Sequence, residues 1–387
     1  MNFLVLVMSS LESLSILKNK YPQYEDDINN LRSFHEKKLW HQLTIALWDF
    51  VKKPEFSQGT DLIPLKDTLI KDIETRVNPL TLVEILLCIV KQMSNPEEAI
   101  QFLEQTKNAS NIKNNILAVL LCTTTLINIK LQTQPLADSK SLIEEAQDRL
   151  EAIDGVTPVH SRFYEMSSRY YMLLGDHALY YRDTLRYLGC LDVDTDLTQQ
   201  QRHERAFSLS ISAILGEGVY NFGELLAHPI LNSLSETEHS WIRDVLFAFN
   251  SGNIAKFDAL KPHWSQIVDL AAAEIKMRQK ISLLCLMETA FKKPANDRNL
   301  TFNEIADEVR IQLCEVELLV MKALSLNLVK GSIDELEKTV HITWIQPRVL
   351  DKEQLGDMRG RIKGWKQAIL QMENVMKEKA NELIAFA

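Results

Sequence analysis

The sequence is poor in the residues that punctuate β architecture, with 12 glycines and 11 prolines in 387 positions. A sandwich or propeller needs a tight turn every few residues, so this scarcity excludes a chain of many short strands. Catalytic signatures are missing as well. No Gly-Lys-Ser/Thr occurs to cradle nucleotide phosphates, and no Gly-x-Ser-x-Gly occurs to present a nucleophile. His203-Glu204-Arg205-Ala206-Phe207 falls one residue short of a zinc-peptidase helix, because Phe207 stands where a second histidine would have to face the metal. Without a His-x-His pair, a metal-dependent deubiquitinase site is excluded too. Gly216-Glu217-Gly218 with Gly223 has the wrong spacing for a dinucleotide turn and sets a carboxylate where phosphate would lie. No catalytic, cofactor-binding or metal-ligating residue is assigned, and no small-molecule substrate is expected.

Long hydrophobic runs, basic patches and paired cysteines are lacking as well. The longest stretch free of charge, Asn114 to Ile129, is 16 residues and holds three threonines and three asparagines, which does not comfortably span a bilayer. Phe3 to Met8 resembles a short signal core, but no Lys or Arg precedes it and Glu12 follows with no cleavage pattern, so it reads as an apolar helix start. The chain carries 43 Lys+Arg against 52 Asp+Glu, net −9, and no segment forms a nucleic-acid footprint. Cys88, Cys122, Cys190, Cys285 and Cys314 are odd in number, widely spaced and mostly in apolar runs, which fits buried, reduced thiols.

What is present is helical period. Apolar residues recur at three- and four-residue intervals from Leu11 to Leu286, as in Leu82, Ile85, Leu86, Ile89 and Val90. Several breaks share a turn, a small residue and then an aromatic: Asn95-Pro96-x-x-Ala99-x-x-Phe102, Gly175-Asp176-x-Ala178-x-x-Tyr181 and Gly252-Asn253-x-Ala255-x-Phe257. Alanine lets two backbones approach and the ring fills the next groove, the mark of stacked helix pairs in a degenerate tetratricopeptide-like array. Tyr164, Tyr170, Tyr171, Tyr180 and Tyr181 sit at helical spacing and read as core or groove filling, while His160 and His341 read as packed or surface histidines.

From Lys280 the texture changes. Ile281 to Phe291 is an apolar helix, Thr301-x-x-Glu304 opens a short helix with a capping box, and Glu315 to Leu326 forms a longer one. Leu328 to Ile333 and Val340 to Trp344 then flank an acidic turn, the second run alternating strictly. Helix, capped helix, long helix and hairpin is the order of a winged helix. Its recognition helix carries Glu315 and Glu317 against Lys322, so a protein partner is expected there rather than nucleic acid. Val340, Ile342 and Trp344 are expected to anchor a hairpin whose outer edge meets a neighbour.

After Pro347, Leu355, Met358, Ile362, Trp365, Ile369, Met372, Met376, Leu383 and Phe386 follow a 3-4 alternation interrupted by Lys379. Such a seam must be covered by another helix. Gly356, Gly360 and Gly364 on the same helix allow two readings, a frayed first half or a face open to close approach.

The expected fold is mainly α: a right-handed α-solenoid of helical repeats, a winged helix, and a long C-terminal helix. Boundaries are expected at 1–175 for N-terminal repeats, 176–279 for a further helical part, 280–346 for the winged helix and 351–387 for an assembly helix.

The chain resembles the PCI-domain family in its proteasome-lid branch. The likeness is carried by Lys37 to Thr44, Arg76 to Leu80, Val159 to Tyr164, Glu204 to Phe207, Leu215 to Leu226, Glu315 to Leu324, Val329 to Glu335 and Trp344 to Leu350. The resemblance implies a non-catalytic scaffold of cytoplasm and nucleus, without a cofactor, that supports degradation of ubiquitinated proteins. It implies as partners other PCI subunits of the lid, the lid deubiquitinase pair and a ubiquitin-receptor subunit, with no nucleic acid and no membrane. The competing expectation is a PCI module of another complex that binds RNA or mRNA-handling partners.

Overall fold

The computed structural model describes residues 18, 21–53, 62, 65, 69–74, 76–93, 95–133, 135, 137–235, 237–294, 298–349 and 352–385. The helix start expected at Phe3 to Met8 lies outside them. The chain divides into two compact units, Met1–Asp192 and Val193–Ala387.

In the first unit the long helices are α1 (Glu25–Glu36), α2 (Trp40–Val51), α3 (Pro79–Val90), α4 (Pro96–Asn108), α5 (Ile116–Thr133), α6 (Ala137–Glu151), α7 (Pro158–Leu174) and α8 (His177–Gly189). Their ends follow local chemistry. Asn78 and Asn95 accept from the backbone N–H two residues on, ahead of a proline in the first turn of α3 and α4. Thr157 and His160 form a capping box at the start of α7, which gives the buried His160 a structural role. Gly175 ends α7 in the left-handed region at φ +80°, and Asp176 at once caps α8 through Oδ1.

Helices α2, α3, α5 and α7 lie side by side, while α1 packs on α2, α4 and α6 on α5, and α8 on α7. This is the stacking of helix pairs that the turn pattern implied. The long uncharged stretch finds its reason in α5, which α3, α4, α6 and α7 surround. By length and composition α5 could cross a membrane, but half of it is buried inside this unit. Its Thr123 and Thr124 hydroxyls donate to the carbonyls four residues back, so they add no unpaired polar group. Tyr170, Tyr171, Tyr180 and Tyr181 are buried in the same unit, as their spacing suggested.

The first part of the second unit contains α9 (Gln199–Leu215), α10 (Ser240–Asn250), α11 (Ile254–Ala259) and α12 (Glu274–Lys292) among shorter helical turns. Phe222, Phe249, Phe257 and Trp264 form a column of ring contacts between 5.2 and 5.7 Å that fills its core. The turn between α10 and α11 sits directly on α12: a Cβ on Gly252, at φ +62°, would lie 2.6 Å from Cys285 Cα.

A buried cation joins α12 to α9. Lys280 Nζ donates to the carbonyl oxygens of Ala213 (2.8 Å), Ile214 (3.0 Å) and Gly216 (2.8 Å), groups left without partners where α9 ends. Burial lowers its pKa from 10.5 to about 7. Within that interval the unfolded chain binds more protons than the folded one, so this residue makes stability rise with pH from near 7 towards 10.5. In urea denaturation at a series of pH values, Lys280→Met is expected to remove that contribution to the slope. Identical slopes for variant and parent would refute it.

The winged helix comprises the end of α12, β1 (Asn299–Thr301), α13 (Phe302–Val309), α14 (Leu313–Ser325), β2 (Val329–Asp334) and β3 (Thr339–Ile345). Thr301 and Glu304 make the expected capping box. The hairpin is not alone: β1 adds to it, giving an antiparallel sheet in the order β1-β3-β2. The last element is α15 (Lys352–Ala385), whose 34 residues extend about 51 Å at 1.5 Å per residue. It is helical throughout, Gly356, Gly360 and Gly364 included.

Candidate functional site

The candidate residues fall into a sheet group and a helix group, and the structure treats them differently. On β3, Val340 and Ile342 are each 1% exposed. They point into the winged helix itself, so they hold the hairpin from inside and offer nothing to a neighbour. Trp344 is 37% exposed, with Lys330 Nζ 5.0 Å from its ring centroid. Because β1 pairs with β3 at Thr339, Val340 and His341, the hairpin's uncovered edge is β2. That edge carries Lys330 and an irregularity between Lys330 and Gly331, both of which discourage indiscriminate strand pairing.

Beside it, α14 exposes Leu318 and Met321 on one face, with Leu313 and Cys314 exposed at its start. The sequence pattern reads the cysteines as buried thiols; Cys122 and Cys285 are buried, Cys88 and Cys190 only partly so, and Cys314 is exposed. On a nucleic-acid reader this helix would carry cations, yet here it pairs apolar surface with Glu315 and Glu317. The signal for Leu318 and Met321 was present, since both lie off the buried set Val316, Val320 and Ala323.

On α15 every residue from 355 to 379 is exposed. Leu355, Met358, Ile362, Trp365, Ile369, Met372 and Met376 are 49–69% exposed, so none of the described residues covers the seam. Leu370 and Val375, which flank the alternation without belonging to it, are exposed too and widen the apolar face. The side chain of Leu383 and all of Phe386 lie outside the described residues. Gly356, Gly360 and Gly364 lie on the side away from the seam, and a Cβ on any of them would meet nothing within 4 Å. An apolar strip this long is uncommon on a monomer.

The root of α15 is fixed by the segment between β3 and the helix. Gln346 N–H donates to Leu328 O (2.8 Å) and Arg348 Nη1 to Asn250 O (3.1 Å). The Arg348 guanidinium also pairs with Glu288 of α12, their side chains only 8% and 12% exposed, and lies 5.5 Å from the Phe291 ring centroid. Val349 packs on Gly223, where a Cβ would come within 2.6 Å of the Val349 Cβ. The segment ahead of α15 is thus held to the second unit as far as Val349.

Two cavities, of about 290 and 320 Å³, one in each unit, contain no histidine in their walls. Burial pushes the Cys88 and Cys285 thiols in them up, away from the reactive thiolate. Among the described residues no group of three or more His, Cys, Asp or Glu could hold a metal ion.

The family described as PSD13 N-terminal repeats matches residues 27–246, and the family described as PCI domain matches residues 257–344. A Dictyostelium discoideum protein named 26S proteasome non-ATPase regulatory subunit 13 is 35% identical, across 97% of this chain and 98% of its own length. Homolog A of that subunit from Arabidopsis thaliana is 34% identical, across 92% and 95%. The Saccharomyces cerevisiae 26S proteasome regulatory subunit RPN9 is 31% identical, across 94% and 95%.

Proposed function

Because this chain belongs to the family of the 26S proteasome non-ATPase regulatory subunit 13, we propose that it is a non-catalytic scaffold subunit of the proteasome regulatory-particle lid, supporting degradation of ubiquitinated proteins in cytoplasm and nucleus. The observation that carries the reading is the uncovered seam from Leu355 to Met376. A helix with one apolar face gains by covering it, at roughly 25 cal/mol for each Å² removed from water.

The proposed division of labour follows the segments. Residues 1–175 form the repeat arm, 176–279 the helical part of the PCI domain, 280–346 the winged helix that joins other PCI subunits, and 351–387 the helix that enters a bundle of lid helices. The deubiquitinase pair and a ubiquitin-receptor subunit are the neighbours proposed beyond the PCI partners. On the winged helix the contact runs through Trp344, the β2 edge, and Leu318 and Met321 of α14. Two linked contacts raise retention through effective concentration, so neither need be tight alone. The alternative of an RNA-binding module is disfavoured by the acidic and apolar face of α14, because phosphate contact needs cations there.

Mass spectrometry of material co-purified with an affinity-tagged copy tests the proposal. Other PCI-domain lid subunits at near-equal abundance are the expected result. A set of mRNA-handling proteins in their place, lost on raising salt, would overturn it.

A further inference from the structure

The flanks of the first half of the α15 seam carry one sign of charge. Taking Leu355 as the first position of a heptad, the residues beside the seam are Arg359, Arg361 and Lys366 in the first half and Ala368, Glu373 and Val375 in the second. Lys363 adds another cation one step outward, and Asp357 is the sole acid from 354 to 372. Lys379 occupies the next seam position itself.

None of these five cations has an ion pair among the described residues. The ion pair within this helix lies elsewhere, between Lys377 and Glu373 at 2.6 Å. Arg359 and Lys363 are spaced four apart, so they repel along the helix with nothing nearby to offset them.

We propose that the helix covering this seam is acidic along both flanks where it faces residues 359–366, and that it sets an acidic side chain opposite Lys379. This rests on the seam being an assembly surface and adds the chemistry of the partner. Flanking charges in a helix pair choose the partner and its direction, and a polar seam residue fixes register at a cost in stability. Cations concentrated in the first half leave one alignment in which every charge is answered. A slip of one heptad would strand Lys379 against an apolar layer.

A second copy of this chain is a poor occupant. In a parallel pair Arg361 would face Lys366 of the other copy on both sides, and Lys379 would meet Lys379. The partner is therefore a different chain.

Two fluorescein-labelled four-heptad peptides with identical Ile and Leu seams serve as probes, one with Glu and the other with Lys at all flanking positions. Fluorescence anisotropy with the full chain is expected to give roughly tenfold tighter binding of the Glu peptide at low salt, with the advantage shrinking as salt rises. Arg361→Glu with Lys366→Glu is expected to reverse the order. Equal affinities, or tighter binding of the Lys peptide, would overturn the charge assignment while leaving the seam as a docking surface. Failure of both peptides to bind would overturn the seam reading as well. A dimer in sedimentation that Ile362→Asp with Ile369→Asp dissolves would overturn the choice of a different chain.

Discussion

Replacing Ile362 and Ile369 together by aspartate is expected to remove the chain from the lid while leaving its own fold as stable as before. Both residues are about half exposed in the chain alone, at 53% and 51%. Surface changes of that kind shift stability by about 0.5 kcal/mol or less. The carboxylate introduced by Ile362→Asp would even stand one helical turn before Lys366, a favourable spacing on an isolated helix. In the assembled seam the same carboxylates lose water. Two such charges in a covered apolar layer cost about 3 to 5 kcal/mol, and at 1.4 kcal/mol per decade that is on the order of a thousandfold in affinity. The control is Gln367→Asp with Gln371→Asp on the outer face of the same helix, which adds equal charge and is expected to leave incorporation intact. Native gels of tagged lid, with thermal melts of the purified chain, separate the two effects. Incorporation of the Ile362→Asp, Ile369→Asp chain at the parent level would sink the seam as an assembly surface. A matching fall in melting temperature would assign its effect to folding instead.

The contrast between the seam and the hairpin explains how far the sequence could be read. Alternation on Val340, Ile342 and Trp344 announces a two-faced strand, but it does not tell whether the apolar face meets this chain or another. Val340 and Ile342 meet this chain because β3 packs on α12, the helix that leads into the same winged helix. The seam on α15 had no such cover to hand, so its exposure followed from pattern and position together. Caps were legible for the same local reason: Asn95, Asp176 and Thr301 act within three residues of their own backbone. Strand β1 was not, because Asn299–Thr301 is too short to show a period and becomes a strand only through pairing with β3. Lys280 stands in the sequence only as the residue ahead of the apolar run Ile281 to Phe291, and its carbonyl partners 64 to 67 residues away belong to tertiary structure alone.

Arg348→Ala is expected to cost about 3 to 5 kcal/mol of stability, the loss typical of removing one member of a buried ion pair. The reason lies in what it leaves behind. Glu288 sits in the C-terminal third of α12 with its side chain 12% exposed, and it would lose the guanidinium that pairs with it. The carbonyl of Asn250 at the end of α10 would lose its donor at the same time. Arg348→Met with Glu288→Gln removes both charges and keeps most of the packing, so it is expected to recover the larger part of the loss. Chemical denaturation of the parent, Arg348→Met, Glu288→Gln and the double variant gives the coupling directly. Additive effects would mean that the pair is not a unit. The same cycle bears on assembly, because Arg348 and Val349 hold the segment from which α15 leaves the second unit. If that anchor aims the seam, Arg348→Ala lowers affinity for lid subunits even where the chain remains folded, while the double variant restores stability without fully restoring affinity, since Asn250 O still lacks its partner. Full recovery of both by the double variant would show that charge balance, and not the aim of the helix, is what this arginine supplies.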